Sequence, residues 1–299
     1  MATTTSIFKH IDPTSSTSTK PWAKVDGPGK SFQQLDHTRK VYNIRGREHE
    51  FTTDNSGFAV FREPAKEKLF EDDAAVRGPY YDEVVALLKK TQPGVKKVVI
   101  FDHTIRRRKP DSPRQPVQQV HVDQTPEAAA ARVRRHLPAD EAEELLKGRY
   151  QIVNVWRPIE NPASDFPLAV IDWRSTSPKD FVPVDLMYPK RADSAMDDDD
   201  RGKEKLPSEQ TYDSAEGYEV KGETMAVAAS EQHRFHYVKD MTPDEVMLLK
   251  CFDSWGDAMP NGKKGIAVRT PHTAFIDPNT PEDAPGRQSI EVRCLVFYE

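Results

Sequence analysis

The sequence predicts a mainly β fold, a sandwich or barrel decorated by a few helices. Two observations carry that prediction. Short runs rich in Val, Ile, Phe, Tyr and Trp recur along the chain between turn-forming residues. Only a handful of segments show helical spacing or helix caps. The composition agrees, because 36% core-forming residues beside 30% charged residues and 24 prolines describe a loop-rich globular protein with a real core. A length of 299 residues fits one large all-β domain.

Residues 1–38 read as a polar arm, wrapping or partly flexible, and 39–299 as a single domain. Tyr42–Ile44 and Phe58–Phe61 are strand-like. From Tyr80 to Lys90, Val84, Val85, Leu87 and Leu88 fall at amphipathic helical spacing. Val98–Phe101 is a buried-strand run, and Gln118–Val122 alternates as a strand does. Thr125 then caps a helix running to Leu137, with Pro126 at its first position, and Asp140 caps another to Lys147. Tyr150–Trp156 and Leu168–Trp173 are strands, whereas 189–211 is a polar loop holding four consecutive aspartates. Tyr218–Val220, Thr224–Ala228 and His233–Val238 follow as strands. Thr242 and Glu245 form a capping box that opens a short helix through Cys251. Ile266–Arg269, Thr273–Ile276 and Ile290–Tyr298 complete the strands.

Several function classes are excluded at this level. A net charge of −5 and a pI near 6.0 give no global attraction to nucleic acid. Arg106-Arg107-Arg108-Lys109 lacks interleaved aromatics and reads as a solvated loop, or one meeting an anionic substrate. No apolar run approaches the roughly 20 residues of a membrane-spanning helix, and the first residues lack the apolar stretch of a secretory signal. Cys251 and Cys294 are too few for a disulfide framework or thiolate zinc site, so a cytosolic location with inert buried thiols is expected.

The residues that point to chemistry begin at His121-Val122-Asp123. A strand period of two puts this imidazole and carboxylate on one face, where they can take adjacent positions on a metal ion. Such pairs also occur as plain surface ion pairs. One further histidine would complete a 2-His-1-carboxylate facial triad. His272, opening an apolar strand, can supply it, with His233 and His236 as rivals. His103 could face the same pocket or serve as a core histidine. On the last strand Arg287, Ser289, Glu291 and Arg293 share a face, and an Arg-x-Ser start can offer a guanidinium fork and a hydroxyl to one carboxylate.

Ordered as His-x-Asp, distal His and Arg-x-Ser, these residues resemble the Fe(II)/2-oxoglutarate dioxygenase superfamily. The runs 101–107, 120–125, 152–158, 240–245, 270–275 and 289–293 look more narrowly like fungal and bacterial hydroxylase/desaturases related to cephem methoxylase subunits. The resemblance implies a double-stranded β-helix (jelly-roll) core, with Fe(II) on His121, Asp123 and His272. It implies 2-oxoglutarate and O₂ as co-substrates, Arg287 on the distal carboxylate with Ser289 assisting, and oxidative decarboxylation to succinate and CO₂. Asn154, Trp156 and Arg157 would lie where co-substrate or substrate contacts are expected; Trp156 and Trp173 read more readily as core than as substrate platforms. The interval of 15 between His272 and Arg287 is long for Arg-x-Ser members, which keeps Arg293 as a rival anchor. The reaction implied is hydroxylation or desaturation of a small secondary metabolite. A cupin-type metal isomerase or hydrolase, or a non-catalytic ligand-binding jelly roll, would use the same triad residues differently.

Overall fold

Alternation along the strands sorts apolar side chains onto the faces of two curled sheets. The computed structural model describes residues 2–25, 27, 29–108, 116–190, 214–257 and 259–299. The strands are β1 (Thr3–Ile11), β2 (Trp22–Lys24), β3 (Gln34–Asn43), β4 (Phe58–Arg62) and β5 (Val95–Arg107). They continue with β6 (His121–Val122), β7 (Tyr150–Pro158), β8 (Leu168–Ile171), β9 (Phe181–Pro189) and β10 (Tyr218–Val227). The last are β11 (Phe235–Tyr237), β12 (Glu245–Asp253), β13 (His272–Ala274) and β14 (Gln288–Tyr298). The helices are α1 (Asp73–Ala75), α2 (Tyr81–Thr91), α3 (Pro126–His136) and α4 (Ala139–Leu145).

Nine strands form the larger sheet, in the order β1-β3-β11-β8-β13-β6-β10-β9-β2, and five the smaller, β4-β12-β7-β14-β5. Two clusters fill the space between them. One joins Leu168 and Val170 to Trp156 and Met247, the other Val122 and Met225 to Ile152, Phe252 and Leu295. This is the expected jelly roll. On its outer side the smaller sheet is covered by α2, whose Val84, Leu87 and Leu88 meet Val153, Val155, Val292 and Cys294. α3 is capped by Thr125, whose hydroxyl accepts from the Ala128 N–H at 3.1 Å. α4 begins after Pro138 with no side-chain cap, so Asp140 sits in its first turn instead.

Three expectations need correction. β3 runs through the boundary expected at residue 38, and Thr3–Ile11 is a full strand rather than an arm. β1 also reaches the chain just before His121, through a bridge from Lys9 to Gln119, and the end of β10, through one from Ile11 to Ala228. Secondly, the Glu245 carboxylate does accept from the Thr242 N–H, but the Glu245 N–H goes to the Thr242 carbonyl and not to its hydroxyl, and Glu245–Asp253 continues as β12 between β4 and β7. Its Val246 and Leu248 face one cluster and Met247 and Leu249 the other, so burial on both faces erases the alternation that marks a strand. Lys250 within it is 0% exposed, its ammonium donating to Asp253 (2.7 Å), Asp54 (2.8 Å) and the Ala267 carbonyl (3.1 Å). Thirdly, Ile266–Arg269 is irregular chain, held by these contacts on its way to β13. The loop expected at 189–211 falls outside the described residues from 191 on, as does Lys109.

Burial also loads three histidines away from the barrel centre. It pushes His10 down to about 3 and His236 down to about 4, and it lowers His233 against the pull of Asp180. Their unfolded value is near 6.5, so the folded state refuses protons that the unfolded chain accepts. The stability they contribute is whole above pH 6.5 and is lost as pH falls from there toward the folded values. Between pH 7 and 5.5 the unfolding free energy is expected to drop by roughly 1 kcal/mol for each of His10 and His236, with His233 adding in the same direction. Urea titrations at the two pH values check this, and a flat profile would show that these imidazoles are not buried neutral.

Candidate metal centre

His121 and His272 are direct cross-strand neighbours where β6 pairs with β13, which sets their rings 4.5 Å apart between centroids. Asp123 follows two residues after His121 and so returns to the same face. One ligand atom from each of the three lies within 4.8 Å of the others. His121 Nε2 is 3.3 Å and His272 Nε2 is 3.7 Å from Asp123 Oδ1.

The backbone fixes both imidazole tautomers. His121 Nδ1 is 2.8 Å from the Gln119 carbonyl, and His272 Nδ1 is 3.1 Å from that of Thr270. A carbonyl only accepts, so each Nδ1 carries a proton, and each Nε2 faces the centre, with a lone pair in the neutral ring and, on a protonated His121, an N–H toward Asp123. Burial would push the Asp123 carboxyl up, but the His121 and Arg293 donors outweigh it and hold it well below the usual range. Burial likewise disfavours charge on His121, yet Asp123 keeps that imidazole above its ordinary value. His272 lies below it, through burial and the neighbouring His121.

The far oxygen of Asp123 is held from the smaller sheet. Asn154 Nδ2 on β7 donates to Oδ2 at 2.7 Å and Arg293 Nε on β14 at 3.3 Å. Arg293 also meets Asp102 (3.0 Å) and Glu291 (2.8 Å), so its charge is already matched. Beside the triad a cavity of about 50 Å³ opens to solvent, lined by Trp156 and, from β14, by Arg287, Ser289, Glu291 and Arg293. The shared face predicted for these four β14 residues is therefore the cavity wall.

Arg287 is 4% exposed and, among the described residues, has no carboxylate on its guanidinium. One terminal nitrogen donates to the Phe166 carbonyl at 2.7 Å, the guanidinium lies 5.7 Å from the Trp156 ring, and Nε has no hydrogen-bond partner among the described residues. Burial and the like charge of Arg106 lower it to about 10. A buried cation with an unpartnered donor is costly unless an anion completes it.

Other expected site residues go elsewhere. Arg157 has the wrong strand parity. It points into the outer core, where it donates to Tyr80 Oη (2.9 Å) and the Glu63 carbonyl (2.9 Å). Asn154 uses its amide on Asp123 rather than lining the cavity. The rival histidines each have an aspartate of their own, His233 with Asp180 at 3.0 Å and His236 facing Asp172 at 4.0 Å. His103 turns outward to the Tyr81 hydroxyl at 2.8 Å. Arg106 and Arg107 end β5 instead of forming a loop, and Arg108 pairs with Asp165. Arg106 and Thr104 line the cavity; Thr104 was not among the expected site residues, and Arg106 was expected only in a loop, solvated or meeting an anionic substrate. Their signal was the period of two along β5, readable only once its inner face is known.

Two imidazole lone pairs and a carboxylate oxygen suit a divalent iron ion, with positions left over for further ligands. A dicarboxylate reaching past Trp156 would meet Arg287 and Ser289. The donor set thus fits both Fe(II) and a 2-oxo acid. A family model described as an oxidoreductase/YMDC permease-like domain matches residues 8–297; no described helix is long and apolar enough to cross a membrane. The chain is 34% identical over 275 residues to the hydroxylase/desaturase efuI of Hormonema carpetanum, covering 87% of this chain and 83% of that protein. It is 31% identical over 280 residues to the Fe(II)/2-oxoglutarate-dependent dioxygenase nvfI of Aspergillus novofumigatus, covering 90% and 87%. A solved structure of the iron and alpha-ketoglutarate-dependent endoperoxidase NvfI superposes with a TM-score of 0.79 at 28% identity, over 99% of this chain and 98% of that one. With its iron-binding residue types converged between two sheets, the chain belongs to the Fe(II)/2-oxoglutarate-dependent dioxygenases, in the company of the fungal hydroxylase/desaturases.

Proposed function

We propose that His121, Asp123 and His272 hold Fe(II), and that Arg287 with Ser289 takes the distal carboxylate of 2-oxoglutarate. The observation that carries this reading is the convergence of two Nε2 lone pairs and Asp123 Oδ1, with both tautomers set by backbone carbonyls. Bound iron would supply O₂ activation coupled to decarboxylation of 2-oxoglutarate and removal of hydrogen from a substrate C–H bond. The chain's own residues do the rest. The carbonyls of Gln119 and Thr270 orient the imidazoles, Arg287 fixes the co-substrate's register, and Trp156 walls the cavity against water. The substrate is a small secondary metabolite placed over this wall, and the outcome hydroxylation or desaturation. We infer also that 39–299 works as one domain together with the strands from the first 38 residues. The buried thiols of Cys251 and Cys294 suit the reducing cytosol.

Incubation with Fe(II), 2-oxoglutarate and O₂ is expected to release succinate and CO₂, with a metabolite pool stimulating the release. Stoichiometric iron binding without any 2-oxoglutarate consumption would move the protein to a triad chemistry of another kind.

A further inference from the structure

The two oxygens of Asp123 have different surroundings. Oδ1 faces His121 and His272, whereas Oδ2 receives Asn154 Nδ2 and Arg293 Nε. The Asn154 amide is fully buried, and its own oxygen has no hydrogen-bond partner among the described residues. Turning the amide over would aim that oxygen at a carboxylate, so the orphaned acceptor persists because the NH₂ is needed on Asp123. Arg293 is similarly committed. Its planar fork gives Nε to Asp123, one terminal nitrogen to Asp102 and Thr104 at 3.0 Å each, and the other to Glu291 at 2.8 Å. A lysine has no such fixed fan of donors.

From this geometry we propose that Arg293 and Asn154 are positioning residues of the metal centre. Together they occupy Oδ2 and so make Asp123 a one-oxygen ligand. Arg293 is thus not the 2-oxoglutarate anchor. Its contacts to Asp102, Thr104 and Glu291 fix the guanidinium between β5 and β14, so the angle at which Asp123 meets the ion is set by the smaller sheet. Freed from these donors, the carboxylate can rotate to offer both oxygens, which changes the coordination number and removes a position that the co-substrate or O₂ requires.

This proposal rests on the iron reading of the triad, and Co(II) titration of the full chain separates the two. Failure of the unaltered protein to bind one Co(II) per chain would remove the reading itself. Given that binding, Arg293→Gln and Asn154→Ala are each expected to weaken Co(II) about 10- to 100-fold, the range for outer-shell partners. Both should also alter the Co(II) ligand-field spectrum, which a merely structural loss would leave as it was in the bound fraction. Arg293→Lys should recover only part of the affinity, and it serves if the glutamine variant does not fold. Unchanged Co(II) affinity and spectrum in Asn154→Ala and in a folded Arg293 variant would overturn the proposal. So would an Arg293 variant that binds Co(II) normally but no longer takes up 2-oxoglutarate.

Discussion

Asp123→Ala is expected to lose Fe(II) binding by well over the roughly 100-fold that outer-shell changes produce, and turnover with it. His121→Ala should behave alike. Asp123 supplies the only anionic oxygen in the triad and is the atom both imidazoles approach. Removing it leaves two neutral nitrogens that a divalent ion binds weakly. The fold should survive. Arg293 keeps Asp102 and Glu291 after the change, so no buried guanidinium is left bare, and the missing acceptor costs about 1–3 kcal/mol. Metal content and far-UV circular dichroism on the same sample decide the matter. A folded Asp123→Ala protein that retains iron and activity would remove Asp123 from the ligand set.

Arg287→Ala is expected to weaken 2-oxoglutarate binding by about 2–5 kcal/mol, roughly 30- to several-thousand-fold, while leaving metal affinity nearly unchanged. The reason is the state of the guanidinium without ligand, which is buried, lowered by desolvation and unpartnered at Nε. An anion gains there what water cannot provide. Deleting the side chain also removes an uncompensated buried charge, so the ligand-free variant should unfold at a temperature no lower than the parent. A large fall in metal-free stability would mean that Arg287 acts as a structural pillar instead.

The site was largely legible in the sequence because strands impose parity. His121 and Asp123 had to share a face, as did Arg287, Ser289, Glu291 and Arg293, and both sets meet at one cavity. The same rule, applied to β7, separates Asn154 and Trp156 from Arg157. What could not be read has physical causes. β12 is apolar on both faces, so its pattern is compatible with a helix until its neighbours are known. β1 hides for the opposite reason. Its inward positions include Thr4, Ser6 and His10, whose hydroxyls and imidazole Nδ1 bond to Asp277, the Ile276 carbonyl and the Val227 carbonyl. Ile7 faces solvent, so no hydrophobic alternation marks the strand. The role of Asn154 was not legible because it depends on where an oxygen points.

β1 also orders events in time. Beyond its pairing with β3, β1 finds partners in residues that are made much later: Gln119 and Ala228 through its bridges, Asp277 through Thr4. The Lys9 carbonyl accepts the N–H of Val120 beside Gln119, whose own carbonyl sets the tautomer of His121. Such distant pairings put folding at the slow, non-local end of the range. The triad residues therefore gain their final geometry only after residues 272–277 have been made, and His121 is present in the nascent chain long before it is aimed.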